Sequence, residues 1–597
     1  MPSIPEEILE GCRPLEEVPG LELLSEAAWC ADLKLWCIEL SVTVNVPEGS
    51  AVPSSTRWHL HLSPNYPLGT IDLLPDREGG LTETFHHQLN NSIVGVRERP
   101  WRPGKICLDT GTAALDRHGE DPSEPRTAAA RLPWHLGRAK LWLGRAAKGE
   151  LVLRGEPFEL PDYRPGGDLT VLFREDSASL SAWRDAKARW GNLTLKWVNP
   201  RTLATTAFTS PSGETVYAPA WGERVSASQG ESRGVWLLAS EPIATPPWQA
   251  PMTWGELREQ LSSQGIDLMT ILEQGASSLR DGESHLLLLG YPIPLKVGGE
   301  LERMHWIALA LPILTKKGAR IKGFRNHGAG LWSYDCAKSF RPDSPLRWAP
   351  TENGSDPELT SRGSLDGCWC EARVLCIGAG ALGSAVAELL VRGGVRQLVL
   401  CDSDDLKVGN LVRHTLTATS LGENKAEALA TRLNDASPNA HVRAIAGDFP
   451  PTEEADRDVA ARVTVIIDCS ANDEVLHQLS AFPFETPPAS FHLSLGGHAR
   501  RLFLYGQSAG TVDPAEYLDW IDPWLALERR EFRGSPAVRP SAGCHHPAFP
   551  ARPDHVWLLA ATATSWMNEL LAAGEFAARE VFARDNLELT RERLPGG

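Results

Sequence analysis

Residues 374–413 read VLCIGAGALGSAVAELLVRGGVRQLVLCDSDDLKVGNLVR. The apolar run VLCI ends at Gly378, Gly380 and Gly383 follow at the spacing of a tight turn into a helix, and the second apolar run, QLVLCD, closes on Asp402. A strand, glycine turn, helix and strand in this order lay backbone N–H groups and a helix N-terminus against phosphates. An acid at the tip of the second strand is then placed to take a ribose hydroxyl. By itself the unit predicts only a nucleotide or dinucleotide.

The residues downstream choose between them. Asp404 comes next, then Asn410, Leu411 and Arg413, then Gly422 and Lys425, then Ser437-Pro438-Asn439, and then the apolar run VTVIID ending at Asp468. NAD-dependent dehydrogenases share the glycine fingerprint, but hydride transfer needs no Asn-x-x-Arg and Lys on that side. Attack on ATP at phosphorus needs cations and amides around the triphosphate. The order resembles the adenylating (ThiF-type) fold of ubiquitin-activating enzymes and of the bacterial enzymes that charge sulfur-carrier proteins. That resemblance implies that Gly378, Gly380 and Gly383 approach the phosphates and that Asp402 binds ribose. It also puts Asn410, Arg413 and Lys425 around the triphosphate and Asp404, Asp468 and Asn472 in the same nucleotide site. Relatives place an aspartate and an asparagine after the strand that ends at Asp468. Here DCSAND puts Ala471 in the aspartate's place while Asn472 conforms, so magnesium falls to Asp473 or Asp404, or rests mainly on ATP. Arg362 either matches an arginine that relatives donate across a homodimer or is a linker charge.

The chain has 597 residues, enough for three or four domains, with 59 basic and 76 acidic side chains giving a net charge of −17. Without a basic block it predicts no nucleic-acid surface. No run approaches the ~20 apolar residues of a membrane span, and MPSIPEEILEGC lacks the features of a signal peptide, so a cytoplasmic protein is expected. The eleven cysteines are scattered, with no CxxC pair, and predict neither a disulfide framework nor a zinc site.

Toward the N-terminus, residues 6–28 have the spacing of an amphipathic helix. LKLWCIELSVTV and TRWHLHLSPNYP alternate as antiparallel strands, and WHLGRAKLWLGRAAKGEL is helical, with Trp134, Leu141, Trp142 and Leu143 available for burial. Between them PWRPGKICLD carries Cys107 after Lys105. A buried small hydrophobe is the plain alternative, but the order of helix, strands, Tyr-Pro, proline-rich loop and cysteine resembles the ubiquitin-conjugating fold, in which the matching cysteine carries a thioester. Lys105 and the loop backbone would favour its thiolate. The family's His-Pro-Asn is absent; FHHQLNN stands in its approximate place, leaving Asn90, Asn91, His86 or His87 as substitutes, or a solvated polar loop.

Residues 164–345 have strand-like runs, a capping box at Thr253 and Glu256 and a density of tryptophans that predicts core rather than ligand stacking. Residues 336–366 have linker composition. Near the end, GCHHP holds Cys544 between Gly543 and His545-His546. Adjacent histidines do not easily face one ion, so a catalytic thiol beside a helix fits better than a metal ligand or a buried thiol. The expected architecture is a multidomain α/β and α+β chain. It comprises a ubiquitin-conjugating-like domain at 1–163, a linker domain at 164–345, and a Rossmann-like adenylating domain with a catalytic-cysteine segment at 346–597.

The combination is similar to the fused conjugating and activating enzymes of bacterial type II CBASS anti-phage systems. The resemblance implies ATP and magnesium as cofactors, and a polypeptide donor with a free C-terminus, a cGAS-like nucleotidyltransferase, whose acyl group passes through Cys544 to Cys107 and then to a target lysine. Alternatives are a ubiquitin-like donor, of which the chain's own terminal Gly596-Gly597 is a weak echo, adenylation alone as for a sulfur carrier, and a non-catalytic nucleotide-binding scaffold.

Overall fold

Along the strand Leu35–Thr43 every second side chain, Trp36, Ile38, Leu40 and Val42, is buried. Such alternation is what a sheet with one covered face requires. The strand pairs antiparallel with Ser55–Leu62, which pairs with Ile71–Pro75, while Leu21–Leu23 and Ala28–Cys30 take its other edge. The helix Ala128–Lys148 covers the inner face with Leu132, Leu136, Trp142 and Leu143; each such side chain, fully buried, contributes about 1.5–3 kcal/mol. The helix expected over 6–28 is shorter. It runs only Glu6–Cys12, because Pro14 carries the chain into the 3₁₀ turn Arg13–Glu17 and Gly20, at φ +76°, turns it into the strand Leu21–Leu23.

This computed structural model describes residues 2–108, 124–325, 327–533, 550–586 and 588–594. Cys544 and the terminal Gly596-Gly597 lie outside them. The chain divides into two compact units, Met1–Pro219 with Gly230–Asn353, and Ala220–Gln229 with Gly354–Gly597.

The rest of the first unit is a nine-stranded mixed sheet. On its strand Glu231–Leu238, Val235 and Leu237 enter one core with Trp254 and Leu257, whereas Trp236 and Leu238 enter the opposite core with Trp183, Phe208 and Trp306. Trp183, Trp236, Trp254 and Trp306 are therefore packing residues, as the density predicts, whereas Trp197 is exposed. The stretch of linker composition contributes the strands Trp348–Ala349 and Thr351–Asn353 to this sheet, the latter parallel to Thr170–Phe173.

In the second unit the strands His441–Ile445, Gln397–Cys401, Arg373–Ile377, Val465–Asp468 and Ala489–Leu495 run parallel in that spatial order. Three antiparallel strands, Arg501–Gln507, Ala577–Asp585 and Glu588–Arg591, extend the sheet. The helix Ala381–Arg392 is buried over most of its surface and shares a core with Pro553–Ala573 through Leu382, Val386, Leu559 and Ala563. A helix apolar nearly all round is suited to such a position. Among the described residues no helix is long and apolar enough to cross a membrane.

Candidate active site

The parallel strands end at two cavities of about 310 Å3 each, which share Gly380 and Cys469. This is the edge at which open α/β sheets bind ligands. The three glycines have separate reasons. Gly378 sits at φ +85° with Ser470 close by, and a Cβ on Gly383 would collide with the Gly378 carbonyl oxygen. Gly380, at the N-cap of Ala381–Arg392, meets nothing within 4 Å. Its open side is where a phosphate can approach the helix N-terminus.

One cavity holds Asp402, Asp404, Lys425 and Asn472. Asp402 accepts the N–H of Ala379 at 2.7 Å and that of Asp404 at 2.8 Å, so its carboxylate ties the second strand tip to the glycine turn. Lys425 opens the helix Lys425–Ala436, capped by Asn424, and reaches the Asp404 carboxylate at 2.7 Å. Hydrogen bonding from that ammonium lowers the pKa of Asp404. The other cavity holds Asn410, Arg413, His414 and Ala471. Asn410 accepts the N–H of Lys407 at 2.9 Å, which fixes the turn that presents Arg413. Partial burial lowers the pKa of Arg413. The two cations thus stand on either side of the glycine turn. A polyanion between them would gain from both in a partly desolvated setting.

Asp468 and Asp473 are placed differently. Asp468 is buried, accepts from the backbone N–H and hydroxyl of Ser470 at 2.9 and 2.6 Å, and lies 3.0 Å from Nδ1 of His492. Asp473 is exposed in the first turn of Asp473–Ala481, whose N-cap is Asn472, and lines neither cavity. Ala471 has φ +50°. Among the described residues no cluster of three or more His, Cys, Asp or Glu is arranged to hold a metal. With Asp404 already paired to Lys425, the donor set does not fit a dedicated magnesium cage. Arg362 is exposed after the helix Asp356–Thr360.

In the first unit, Cys107 ends a short antiparallel ladder. Its N–H donates to the His87 carbonyl at 2.8 Å, Leu89 N–H donates to the Lys105 carbonyl at 2.9 Å, and Gln88 faces Ile106 between them. Lys105 is bound to Asp72 at 2.9 Å, so its charge is partly compensated.

Several contributors were not legible beforehand. His414 holds the glycine turn through the Ala379 carbonyl; Cys469 lines both cavities; Glu159, Asp162 and Trp248 pack against residues 86–90. A histidine directly after the Asn-x-x-Arg was the available signal for the first. The others come from chain distances no local pattern reports.

Residues 149–354 match the Cap2 central linker domain and residues 368–486 match the ThiF family. The chain is 31% identical over 582 residues to the ATP-dependent ubiquitin transferase-like protein Cap2 of Enterobacter hormaechei subsp. hoffmannii (strain UCI 50), covering 96% of this chain and 95% of that one. It is 34% identical over 112 residues to the sulfur carrier protein ThiS adenylyltransferase of Escherichia coli (strain K12), covering 19% of this chain and 44% of that one. Among solved structures, that of E. coli MccB with ATP is similar at a TM-score of 0.28 and 14% identity over 40% of this chain and 67% of that one. The sheet, the glycine turn and the ThiF match define an adenylating enzyme of the transferase type. More particularly, the chain belongs to the Cap2 family of ATP-dependent ubiquitin transferase-like proteins.

Proposed function

We propose that the protein adenylates the C-terminus of a polypeptide, carries the acyl group on two cysteines in turn and ligates it to a target amine. The donor carboxylate attacks the α-phosphorus of ATP, expelling pyrophosphate and forming an acyl adenylate. Arg413 and Lys425 hold the phosphates, the turn at Gly378–Gly380 supplies backbone N–H groups, and Asp402 takes the ribose. Any magnesium arrives on the triphosphate with most of its waters. The Cys544 thiolate then attacks the acyl carbon and AMP leaves; Cys107 takes the acyl group by thioester exchange; a lysine amine displaces Cys107, giving an amide and a free thiol. The donor we favour is a cGAS-like nucleotidyltransferase in anti-phage defence, with the enzyme acting as a homodimer.

The observation that carries the reading is the open Gly380 flanked by Arg413 and Lys425, in one chain with a cysteine at the end of an ordered ladder. The test is Cys107→Ser expressed in its native cells. The serine would retain the acyl chain as an oxyester that survives reductant, and mass spectrometry of the shifted band would read the donor's C-terminus. A shift that disappears when Cys544 is also replaced is the expected result. No shift, with pyrophosphate still released, would leave adenylation without conjugation.

A further inference from the structure

Four polar side chains stand where the conjugating fold carries its His-Pro-Asn, and three are already committed. Both N–H groups of the Asn90 amide donate to backbone carbonyls, of Asp162 and Ala250, at 3.1 Å each, and its oxygen accepts the N–H of Ser92 at 3.0 Å. Asn91 donates to the carbonyls of Leu81 at 2.7 Å and Glu83 at 3.0 Å, and its amide oxygen lies under Gly104, where a Cβ would collide with it. His86 is stacked on Trp248 at 4.3 Å between ring centres. Neither asparagine has a donor left for a reacting group, and the face of the His86 ring is taken by Trp248.

His87 differs. It stands opposite Cys107 in the ladder, accepting that residue's N–H, but its own N–H does not complete the pair. It turns instead to both oxygens of Glu159, at 2.8 and 2.9 Å, and its ring Nδ1 lies 3.4 Å from the same carboxylate. The backbone is held at φ +59°, a left-handed conformation uncommon for residues other than glycine. The other ring nitrogen, Nε2, is buried and has no hydrogen-bond partner among the described residues. A nucleophile's neighbour, an imidazole and a carboxylate that orients it form the usual constellation for moving a proton.

Resting on the conjugating role proposed for Cys107, we infer that His87 is the general base for aminolysis of the Cys107 thioester and that Glu159 is its positioning residue. Nε2 accepts a proton from the incoming amine as the N–C bond forms, the C–S bond breaks, and the proton is returned to the departing Cys107 sulfur. The Glu159 carboxylate holds Nδ1 and stabilises the imidazolium. Burial raises the pKa of Glu159, and the nearby imidazole only partly offsets that rise. The other ionisable groups about the pair are His86, whose pKa burial lowers to about 4, and Lys105, which Asp72 engages.

The test uses the full chain and a fluorescent Gly-Gly-terminated peptide supplied as its mercaptoethanesulfonate thioester, which acylates Cys107 by exchange; Cys107→Ser gives the background from other thiols. Free lysine is then added and loss of label is followed from pH 5 to 9. In the wild type, discharge depends on free amine and on a free base at Nε2, so log rate against pH has a slope near two at low pH that falls to about one once the base is fully available. His87→Gln should load normally, discharge about a hundredfold more slowly and keep a slope near one throughout. Glu159→Gln should load normally and discharge to lysine several-fold more slowly, with hydroxylamine discharge unchanged. Hydroxylamine, neutral at pH 7, should discharge the wild type and His87→Gln at rates within about threefold. A wild-type profile without a break, or lysine discharge by His87→Gln within about twofold of wild type, overturns the dyad. A loaded wild type that passes its label to no amine overturns the conjugating role itself. If His87→Gln does not fold, the wild-type profile decides.

Discussion

The imidazole of His414 lies with Nε2 2.6 Å from the Ala379 carbonyl oxygen and with Nδ1 3.1 Å from the backbone N–H of Leu416. Since a backbone N–H only donates, Nδ1 is the acceptor and the ring is neutral with its proton on Nε2. One side chain thereby fastens the turn Gly378–Gly380 to the segment that bears Arg413. Burial lowers the pKa of His414 from 6.5. With a folded value below the unfolded one, its contribution is complete above about pH 6.5 and is lost as pH falls toward the folded value. Pyrophosphate exchange should therefore need more ATP once the pH falls through the lowered folded value of His414, which lies below 6.5. His414→Ala should raise the ATP requirement roughly tenfold at pH 7.5 with little change left to titrate, and His414→Gln, which retains a donor, should recover part of the loss. An unchanged ATP requirement in His414→Ala would remove this residue from the site.

Gly380 and Gly383 separate binding from folding. A methyl on Gly380 enters open space at φ −77°, so Gly380→Ala should melt within a few degrees of wild type yet lose nucleotide affinity, because the methyl occupies the approach to the helix N-terminus. Gly383→Ala must push against the Gly378 carbonyl and should cost about 3 kcal/mol or more of stability in the second unit. Calorimetry of both variants with and without ATP distinguishes the cases. Equal melting shifts would show that the two glycines answer the same constraint.

What the sequence made legible follows from how local each cause is. The glycine turn was readable because Gly378, Gly380 and Gly383 meet backbone demands within six residues. Lys425 was named only through the order of residues in the ThiF-type pattern, and the structure puts it at the start of a helix capped by Asn424. The work of His414 is done on a carbonyl 35 positions away, and Asp468 finds His492 only through the register of two parallel strands. Asn90 and Asn91 look like a polar loop in the sequence, but they are buried and bonded to the backbone, which no local pattern reports. The helix expected over 6–28 was lost to Pro14 and Gly20, whose backbone limits outweighed a plausible apolar spacing.

Glu175, 1% exposed, accepts the indole N–H groups of Trp183 at 2.9 Å and Trp306 at 2.8 Å and the hydroxyl of Ser179 at 2.5 Å. Burial nevertheless pushes its carboxyl up to about 8 from 4.5. The folded value exceeds the unfolded one, so the protonated form is favoured on folding. Stability from this group is therefore fully present below about pH 4.5 and declines as pH rises toward 8, by at most about 1.4 kcal/mol per pH unit. Glu175→Gln cannot ionise. Relative to it, the first unit of the wild type should lose melting temperature from pH 5 to 8, and parallel curves for the two proteins would mean that the carboxylate is charged throughout.

Arg501 has no exposed surface and is bound by three carboxylates, Glu528 at 2.5 Å, Glu531 at 2.6 Å and Glu592 at 2.6 Å. These ion pairs raise its pKa further, led by the Glu592 hydrogen bond. Glu528 and Glu531 end the helix Pro514–Glu531, the last described helix before the segment that carries Cys544. Arg501→Met leaves three acids facing one another and should destabilise the second unit by about 3–5 kcal/mol. Arg501→Lys should recover only part of this, because one ammonium cannot replace a guanidinium that serves three partners. Glu531 is held below its ordinary pKa by Arg501, so its share of the network is present above about pH 4.5 and is lost as pH falls through the lowered value. Calorimetry of the two variants should therefore place the melting of the second unit lowest in Arg501→Met and intermediate in Arg501→Lys. Wild-type melting in Arg501→Lys would mean that a single ammonium satisfies all three carboxylates.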